Sequence, residues 1–242
     1  MQVLGVIPAR YASTRFPGKP LADIAGMSMV QRVWTQVSRC STLTDAVVAT
    51  EDQRIIDHVH SFGGKAIMTS AEHASGTDRI GEVAEAFPQM DYLLNIQGDE
   101  PLLDPQAIDD LVRATLEQRW AMSTLVHPLG GDPDHPDVGN PNCVKAVMAR
   151  DGQALYFSRS PIPYPRDASA ARYFKHIGIY MYDRATLARL CSLERTPLEA
   201  SESLEQLRAM ENGVSIYAIE TSYNPVAVDV PDDVLRAVER LG

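Results

Sequence analysis

The stretch that decides the fold is VLGVIPARYASTRFPGKPL, residues 3–21. Its first six residues are an apolar run, which predicts a strand buried on both faces. The loop that follows, residues 9–20, carries three positive side chains and no acidic one, namely Arg10, Arg15 and Lys19. Such a loop is typical of an α/β protein, in which ligands bind beyond the carboxyl ends of the strands.

Predicted strands and helices alternate through the first half of the sequence. Two more apolar runs, residues 46–50 and 92–96, predict further buried strands. Helical spacing of apolar residues follows, with a capped helix start at Ser28, a helix over 55–62 and another over 105–118. This alternation predicts a mostly parallel sheet that is covered on both faces.

The pattern changes after residue 120. Strands are predicted over 122–128, 143–149, 154–158, 176–182 and 214–219, and Asp151-Gly152 is a hairpin signal. One helix is predicted to begin at Thr196 and end at Gly213, and a last one to cover 231–241. We therefore expect one α/β domain over residues 1–242, with an antiparallel extension at about 143–182.

Composition narrows the classes of partner and compartment. The 242 residues carry a formal net charge of −10, which argues against binding to nucleic acid or to an anionic membrane surface. There is no apolar run of membrane-spanning length. Residues 1–9 are apolar but too short for the core of a signal peptide, so we expect none there. The three cysteines are scattered and form no CxxC pair, as expected in a reducing compartment. We expect a cytoplasmic protein.

The basic loop 9–20 allows two interpretations. Guanidinium and ammonium groups after a buried strand are a natural cradle for phosphates. The loop is neither a Walker A sequence nor a GxGxxG fingerprint, so a solvated basic loop paired with surface acids stays open as the alternative.

Carboxylates follow two other apolar runs. Asp99 and Glu100 come after the strand 92–96, where a carboxylate can hold Mg²⁺ or simply belong to a polar turn that caps a helix. Asp229 ends a later apolar run and is a candidate second carboxylate. Asp232 and Asp233 lie in the first turn of the last helix, so capping explains them better than a metal does.

Two further segments offer weaker signals. Ser75-Gly76-Thr77 presents small side chains and backbone groups that can read a base edge, although a helix cap at Asp78 explains the segment as well. Arg159 and Arg166 can clamp a carboxylate, or they are ordinary surface arginines. The histidines show no zinc-ligand spacing and no serine has a hydrolase context.

Seven motifs together resemble one known family. In chain order they are PARYASTRFPGKPL (8–21), HASGTDR (73–79), NIQGDEP (95–101), ALYFSRSPIP (154–163), HIGIYMY (176–182), SLEQLR (203–208) and VDVPDD (228–233). They closely resemble the 3-deoxy-manno-octulosonate (Kdo) cytidylyltransferases, along essentially the whole chain. The resemblance implies a Rossmann-like nucleotidyltransferase sheet and usually a homodimer. It also implies transfer of CMP from CTP to Kdo, with Mg²⁺ as cofactor, for lipopolysaccharide synthesis.

The resemblance also implies roles for individual residues. The CTP phosphates are assigned to Arg10, Ser13, Arg15 and Lys19, and the cytosine and ribose to Ser75, Gly76 and Arg79. Mg²⁺ is assigned to Asp99 and Asp229, which with Lys19 and Arg10 form the catalytic set. The sugar acid is assigned to Gln97, Arg159, Arg166, His176, Tyr180, Glu205 and Gln206.

Three departures from the family pattern fall around the sugar. Tyr164-Pro165 stands where Trp-Asp is expected, Val230 replaces a usual threonine, and the stretch between Arg166 and His176 is shorter. Transfer to another acidic sugar, of the 8-amino-Kdo or sialic acid type, therefore stays open. A non-catalytic nucleotide-binding module on the same fold is the third alternative.

Overall fold

A computed structural model describes residues 1–12, 15–73 and 75–241. Its backbone divides into two compact units. The first unit comprises residues 1–112 and 225–242, and the second comprises residues 113–224. The expectation of one domain over residues 1–242 stays a prediction.

In the described residues, eight strands lie close to where the sequence predicts them, and three short strands, at Asp23–Ile24, Met27–Ser28 and Ala66–Met68, have no predicted counterpart. In chain order they are β1 (Val3–Pro8), β2 (Asp23–Ile24), β3 (Met27–Ser28), β4 (Asp45–Thr50), β5 (Ala66–Met68), β6 (Tyr92–Asn95), β7 (Met122–Gly130), β8 (Lys145–Met148), β9 (Ala154–Ser158), β10 (Tyr173–Asp183) and β11 (Tyr217–Glu220).

The helices alternate with these strands. They are α1 (Met29–Val37), α2 (Gln53–Ser61), α3 (Gly76–Ala86), α4 (Pro105–Gln118), α5 (Pro136–Gly139), α6 (Arg184–Ser192), α7 (Pro197–Glu202), α8 (Gln206–Glu211) and α9 (Asp233–Glu239), with short 3-10 turns at Lys19–Leu21 and Ala168–Ala170. In the described part of the chain, no helix has the length and apolar character needed to cross a membrane.

The first unit contains a fully parallel sheet in the order β6-β1-β4-β5. Strand β1 lies inside it, with Val6 opposite Val47 on one side and Asn95 on the other, and its apolar side chains are buried. The carboxyl ends of parallel strands meet at one edge of a sheet. The basic loop after β1 and the segment after β6 therefore leave the sheet side by side.

Local signals set the position of the helices in this unit. Ser28 caps α1 as predicted, because its hydroxyl accepts a hydrogen bond from the Gln31 backbone N–H at 3.2 Å. Ser75, rather than Asp78, caps α3, with its hydroxyl 3.2 Å from the Asp78 N–H. The prediction of a helix cap at Asp78 is therefore wrong. The cap lies three residues earlier, and Asp78 belongs to the first turn of the helix.

The second unit is mainly antiparallel. Its strands follow the order β11-β7-β10-β8-β9, and only the β11–β7 pair is parallel. A mostly parallel α/β fold with an antiparallel extension in the second half is thus confirmed. The β7–β10 ladder shifts register between Ile177 and Tyr180, which marks a bulge in β10.

The helix predicted from Thr196 to Gly213 is in fact two helices, α7 and α8. The helix is interrupted at Ser203, which adopts a left-handed backbone conformation with φ 52°. Helical spacing of apolar residues continues through the break, so the periodicity conceals it. A bidentate pair joins the two helices, with Arg208 Nη2 2.6 Å from Glu199 Oε1 and Nε 2.8 Å from Oε2.

Asp109 ties helix α4 to the segment that follows α1. Its buried carboxylate accepts hydrogen bonds from the backbone N–H and hydroxyl of both Ser41 and Thr42, at 2.6 to 3.1 Å. Burial acts to raise the pKa of Asp109, but these hydrogen bonds outweigh it and hold the pKa below its ordinary value. The charged form is therefore the one that stabilises the fold.

Asp109→Asn is expected to lower the free energy of unfolding by about 1–3 kcal/mol at pH 7, because an amide nitrogen cannot accept these bonds. The folded-state pKa lies below the unfolded value of about 3.9, so the contribution is present at neutral pH. It is lost as the pH falls through the folded-state pKa. Urea unfolding at pH 7 and pH 3 measures this. Asp110→Asn, at an exposed position on the same helix, is the control and should change stability by less than about 0.5 kcal/mol.

Candidate active site

The basic loop after β1 lines a cleft of about 360 Å³ in the first unit. Its walls are made by the end of β1, the basic loop and the segment after β6: Pro8, Ala9, Arg10, Ala12, Arg15, Lys19, Pro20, Gln97, Gly98 and Asp99. The structure thus brings together five of the predicted site residues, which are Arg10, Arg15, Lys19, Gln97 and Asp99. Ser13, also predicted here, lies outside the described residues.

Lys19 lies between the two predicted metal carboxylates. Its Nζ is 2.8 Å from Asp99 Oδ2 and 3.5 Å from Asp229 Oδ1. Arg15 Nη2 is 3.1 Å from the same Asp229 oxygen. The Lys19 side chain is only 15% exposed whereas that of Asp229 is 45% exposed, so the cluster is open to solvent on the Asp229 side.

The loop that carries Asp99 lies tightly against the end of β1. A Cβ atom at Gly98 would overlap the Pro8 carbonyl oxygen, so only glycine allows this approach. On its other side the loop is held by the Val228 N–H, which donates to the Asp99 carbonyl at 2.9 Å. The hydrogen bond also fixes the segment that leads to Asp229.

Asp233 holds the backbone of Asp229. Its Oδ2 accepts hydrogen bonds from the Asp229 N–H at 2.8 Å and the Val230 N–H at 3.1 Å, and its other oxygen pairs with Arg236. Burial acts to raise the pKa of Asp233, but these partners outweigh burial and keep the pKa below its ordinary value. Asp233 is thus an anionic clamp on the loop of Asp229.

Arg79 is buried beneath the basic loop. It is 1% exposed, its Nη1 donates to Thr69 Oγ1, and its Nη2 lies 3.1 Å from Glu51 Oε2. Burial lowers the pKa of Arg79, with the charge of Arg10 acting in the same direction. Glu51 Oε1 in turn accepts the Tyr11 N–H at 2.9 Å, so the buried pair fixes the loop next to Arg10.

Ser75 and Gly76 form the start of helix α3. Ser75 caps the helix, and a Cβ atom at Gly76 would lie 3.7 Å from Asn95 Nδ2 at the end of β6. Asn95 is buried, and its Oδ1 has no hydrogen-bond partner among the described residues. The predicted base-binding residue Gly76 therefore adjoins the buried side-chain amide of Asn95, the last residue of β6.

In the second unit, the bulge in β10 places His176 and Tyr180 next to Thr124. Thr124 Oγ1 lies 3.1 Å from His176 Nε2 and donates toward the Ile177 and Ile179 carbonyls at 3.1 and 2.8 Å. The His176 ring lies 4.9 Å from Phe157 and 5.3 Å from Tyr180, measured between ring centroids. These contacts fix the orientation of both predicted sugar residues.

Both side chains are uncharged at neutral pH. Burial lowers the pKa of His176 to about 3, and burial raises the pKa of Tyr180 well above its ordinary value, with Tyr182 and Glu205 acting in the same direction. The Tyr180 hydroxyl is buried and has no hydrogen-bond partner in the part of the chain that the structure describes. His176 therefore serves as a neutral hydrogen-bonding group and Tyr180 as an undissociated phenol.

The Arg159 guanidinium is already hydrogen-bonded to three backbone carbonyls. Its Nε donates to the Glu202 carbonyl at 2.7 Å, Nη1 to the Pro141 carbonyl at 3.0 Å and Nη2 to the Ser203 carbonyl at 3.3 Å. Arg166, by contrast, is exposed. A direct role in binding an acid stays a prediction for both residues, and the contacts of Arg159 favour support of the backbone.

The start of helix α8 carries the remaining predicted sugar residues. Glu205 is exposed, whereas Gln206 is 6% exposed, and its Nε2 has no hydrogen-bond partner within residues 1–12, 15–73 and 75–241. A buried amide nitrogen without a partner is unusual in a folded protein and calls for a ligand or a water molecule.

Three residues that support the site are not predicted from the sequence to do so. Glu51, Asp233 and the buried Lys145 hold the backbones of predicted site residues, but each stands in an ordinary sequence context. The position of Asp233 in the first turn of the last helix predicts a helix cap. Its carboxylate in fact accepts hydrogen bonds from the loop that precedes the helix.

The donor set suits Mg²⁺ better than a softer metal. Mg²⁺ is usually held by one or two carboxylates together with substrate phosphates and water. Asp99 and Asp229 reach a common cation, the Lys19 ammonium, which fits that description. No group of three or more His, Cys, Asp or Glu side chains gathers as metal ligands within residues 1–12, 15–73 and 75–241.

A parallel sheet with a basic cleft and two convergent carboxylates beyond its carboxyl edge defines a nucleotide-binding α/β protein. Residues 4–216 match the family model described as cytidylyltransferase. The chain is 46% identical to the 3-deoxy-manno-octulosonate cytidylyltransferase of Trichlorobacter lovleyi, over 100% of this chain and 99% of the relative. The chain therefore belongs to the cytidylyltransferase family and, within it, to the 3-deoxy-manno-octulosonate cytidylyltransferases.

Solved structures agree with this assignment. The structure of CMP:2-keto-3-deoxy-manno-octonic acid synthetase complexed with CTP superposes with a TM-score of 0.94 at 40% identity, covering 100% of this chain and 98% of that chain. The 4-diphosphocytidyl-2C-methyl-D-erythritol synthase of Anaerococcus prevotii superposes with a TM-score of 0.67 at 11% identity, over 99% and 96% of the two chains. That more distant likeness concerns the fold alone.

Gly98→Ala is expected to lower CTP-dependent diphosphate release about 100-fold, because the added methyl group pushes the Asp99 loop away from Pro8. The circular dichroism spectrum should stay unchanged. Gly139→Ala is the control, since a Cβ atom at Gly139 meets nothing within 4 Å. Full activity of Gly98→Ala would show that the tight approach is not needed to place Asp99.

Proposed function

We propose that this protein transfers the cytidylyl group of CTP to the anomeric hydroxyl of Kdo and releases diphosphate, in lipopolysaccharide synthesis. The observation that carries the proposal is the cleft in which Arg10, Arg15 and Lys19 face Asp99. Full-length relatives named for this activity support the proposal, as does the likeness to a synthetase solved with CTP.

The positive side chains bind and orient the triphosphate of CTP. The exposed Arg10 and Arg15 present planar guanidinium groups, which match phosphate oxygens with paired hydrogen bonds. Lys19 is held by Asp99 at 2.8 Å and presents a fixed point charge. These groups stabilise the negative charge that develops on the departing diphosphate.

Asp99 and Asp229 are the residues that would hold Mg²⁺. Mg²⁺ held there would neutralise charge on the CTP phosphates and would make the attacking hydroxyl more acidic. Both carboxylates contact Lys19 in this structure. When CTP binds, its phosphates would become alternative partners for the Lys19 ammonium group. Asp233 keeps the Asp229 loop in place during this exchange.

The transfer forms one bond and breaks one bond. The anomeric oxygen of Kdo attacks the α-phosphorus in line, and the bond from that phosphorus to the oxygen bridging to the β-phosphate breaks. Diphosphate leaves with the bonding electron pair, and the proton of the hydroxyl is lost to solvent. Such a reaction needs positioning and charge stabilisation, without a covalent intermediate on the protein.

The second unit offers polar groups suited to a sugar acid. The Tyr180 hydroxyl and Gln206 Nε2 are buried and have no hydrogen-bond partner among the residues that the structure describes. His176 is neutral and oriented by Thr124. Hydrogen bonds from such groups select a substrate strongly, because an analogue that cannot pair with them leaves them unsatisfied. The exposed Arg166 is the cation proposed for the sugar carboxylate. Gln97 lines the basic cleft of the first unit, and its assignment to the sugar stays a prediction.

The cytosine is proposed to bind at Ser75 and Gly76. The start of helix α3 presents backbone N–H groups there. The buried side-chain amide of Asn95 lies next to Gly76. Arg79, also predicted for the nucleotide, is buried and pairs with Glu51, whose other carboxylate oxygen accepts the Tyr11 N–H of the basic loop.

We also propose a cytoplasmic homodimer that pairs through the extension at about 143–182. Strand β9 pairs only with β8 in the described chain, and its Leu155 is 58% exposed. An edge strand with an exposed large apolar side chain is suited to a partner surface.

A diphosphate-release assay with Mg²⁺ tests the activity. CTP, UTP and ATP are each combined with Kdo, 8-amino-Kdo and sialic acid. Turnover confined to CTP with Kdo is the expected result. Turnover of CTP with another acid alone would replace the sugar in the proposal, and CTP binding without any diphosphate release would overturn catalysis altogether.

Asp99→Asn and Asp229→Asn are each expected to reduce Mg²⁺-dependent diphosphate release by at least about 100-fold, because each removes an anionic oxygen from the proposed Mg²⁺ site. Asp57→Asn, at an exposed position on α2, is the matched control and should keep wild-type activity. Thermal unfolding measured in parallel shows whether the fold is kept. Near-normal activity in both site variants would contradict the metal assignment.

A further inference from the structure

Lys145 is a completely buried lysine that the proposed reaction does not use. It is 0% exposed, and its Nζ donates to the carbonyls of Asn140 at 2.9 Å, Cys143 at 2.6 Å and Arg159 at 2.6 Å. Burying an ammonium group is costly unless it is fully hydrogen-bonded, and here each of its three hydrogens has an acceptor. The ammonium therefore fastens the loop before β8 to the end of β9.

Arg159 extends this fastening to the helices that follow. Its guanidinium donates to the carbonyls of Pro141, Glu202 and Ser203. The Glu202 carboxylate accepts hydrogen bonds from the Ser158 hydroxyl at 2.6 Å and from the Arg159 N–H at 2.9 Å. Helix α8 begins three residues after Ser203, so its first turn is held by the same set of bonds.

The proposed sugar residues of this unit stand on the backbones that these bonds hold. The His176 N–H donates to the Val144 carbonyl at 2.8 Å, directly beside Lys145. The His176 ring packs against Phe157, which lies two residues before Arg159. Gln206, whose buried Nε2 has no hydrogen-bond partner in the described chain, is the first residue of α8.

We propose that Lys145, Arg159 and Glu202 form a positioning network that sets the geometry of the sugar acid site, with Lys145 as its central residue. The inference rests on the proposed function, because it assigns the network to the sugar acid rather than to CTP. Lys145 touches neither substrate. It acts by holding the segments that carry His176 and Gln206, and burial lowers the pKa of Lys145 without removing its role as a donor.

The test compares the KM values for the two substrates in Lys145→Met, which keeps the length of the side chain and removes the three donors. The KM for Kdo is expected to rise by up to about 100-fold, because small displacements of positioned groups have effects of this size. The KM for CTP should stay within about twofold, since the basic cleft is built from residues of the other unit. Lys65→Met, at a position 62% exposed in a surface pair with Asp45, is the control and should leave both values unchanged.

Hydrogen exchange of the same variant, without substrates, supplies a second readout. Faster exchange is expected in residues 140–145, 158–160 and 202–207, while exchange in β1 and β4 stays as in the wild type. Should Lys145→Met fail to fold, Glu202→Gln weakens the same network and should raise the KM for Kdo alone.

Three results would overturn the inference. They are an unchanged KM for Kdo in the folded variant, an equal rise in both KM values, and a uniform acceleration of exchange over both units. Failure of the wild-type protein to use Kdo with CTP would instead overturn the proposed function, and the exchange experiment would still report whether the network holds these segments.

Discussion

The first unit depends on one electrostatic arrangement, the Lys19 ammonium between the carboxylates of Asp99 and Asp229. The three residues come from the loop after β1, the loop after β6 and the segment before α9. A charge cluster assembled from such distant segments is stable only if their backbones are fixed. The contact of Gly98 with Pro8, the Val228–Asp99 hydrogen bond and the Asp233 clamp supply that constraint.

The arrangement explains how a chain with a net charge of −10 can receive a triphosphate. The acidic total is spread over the chain, while Arg10, Arg15 and Lys19 are concentrated at the carboxyl edge of a parallel sheet. Local field, rather than net charge, decides what a cleft attracts. The second unit uses a different principle, since neutral His176 and buried polar atoms of Tyr180 and Gln206 replace charge by directed hydrogen bonds.

Much of the fold could be predicted from the sequence, because buried parallel strands are continuous apolar runs and helix caps have local signatures. β1, β4 and β6 begin and end within a residue of their predicted bounds. The interruption of the helix at Ser203 could not be predicted, because the spacing of apolar residues gives no sign of a left-handed backbone conformation. The sequence also does not predict that Arg159 donates to backbone carbonyls or that Asp233 holds the backbone of Asp229. Both are tertiary hydrogen bonds, and the residue types involved carry no local signal for them.

The most direct measurement of the central claim is electron paramagnetic resonance of Mn²⁺, used in place of Mg²⁺, with wild-type protein and with the Asp99→Asn/Asp229→Asn double variant. In the wild type, the account predicts that free Mn²⁺ falls to a stoichiometric end point when CTP is present. The double variant should leave the Mn²⁺ signal at the level set by CTP alone. Equal Mn²⁺ retention by the two proteins would contradict the claim that these carboxylates, gathered around Lys19, form the metal site.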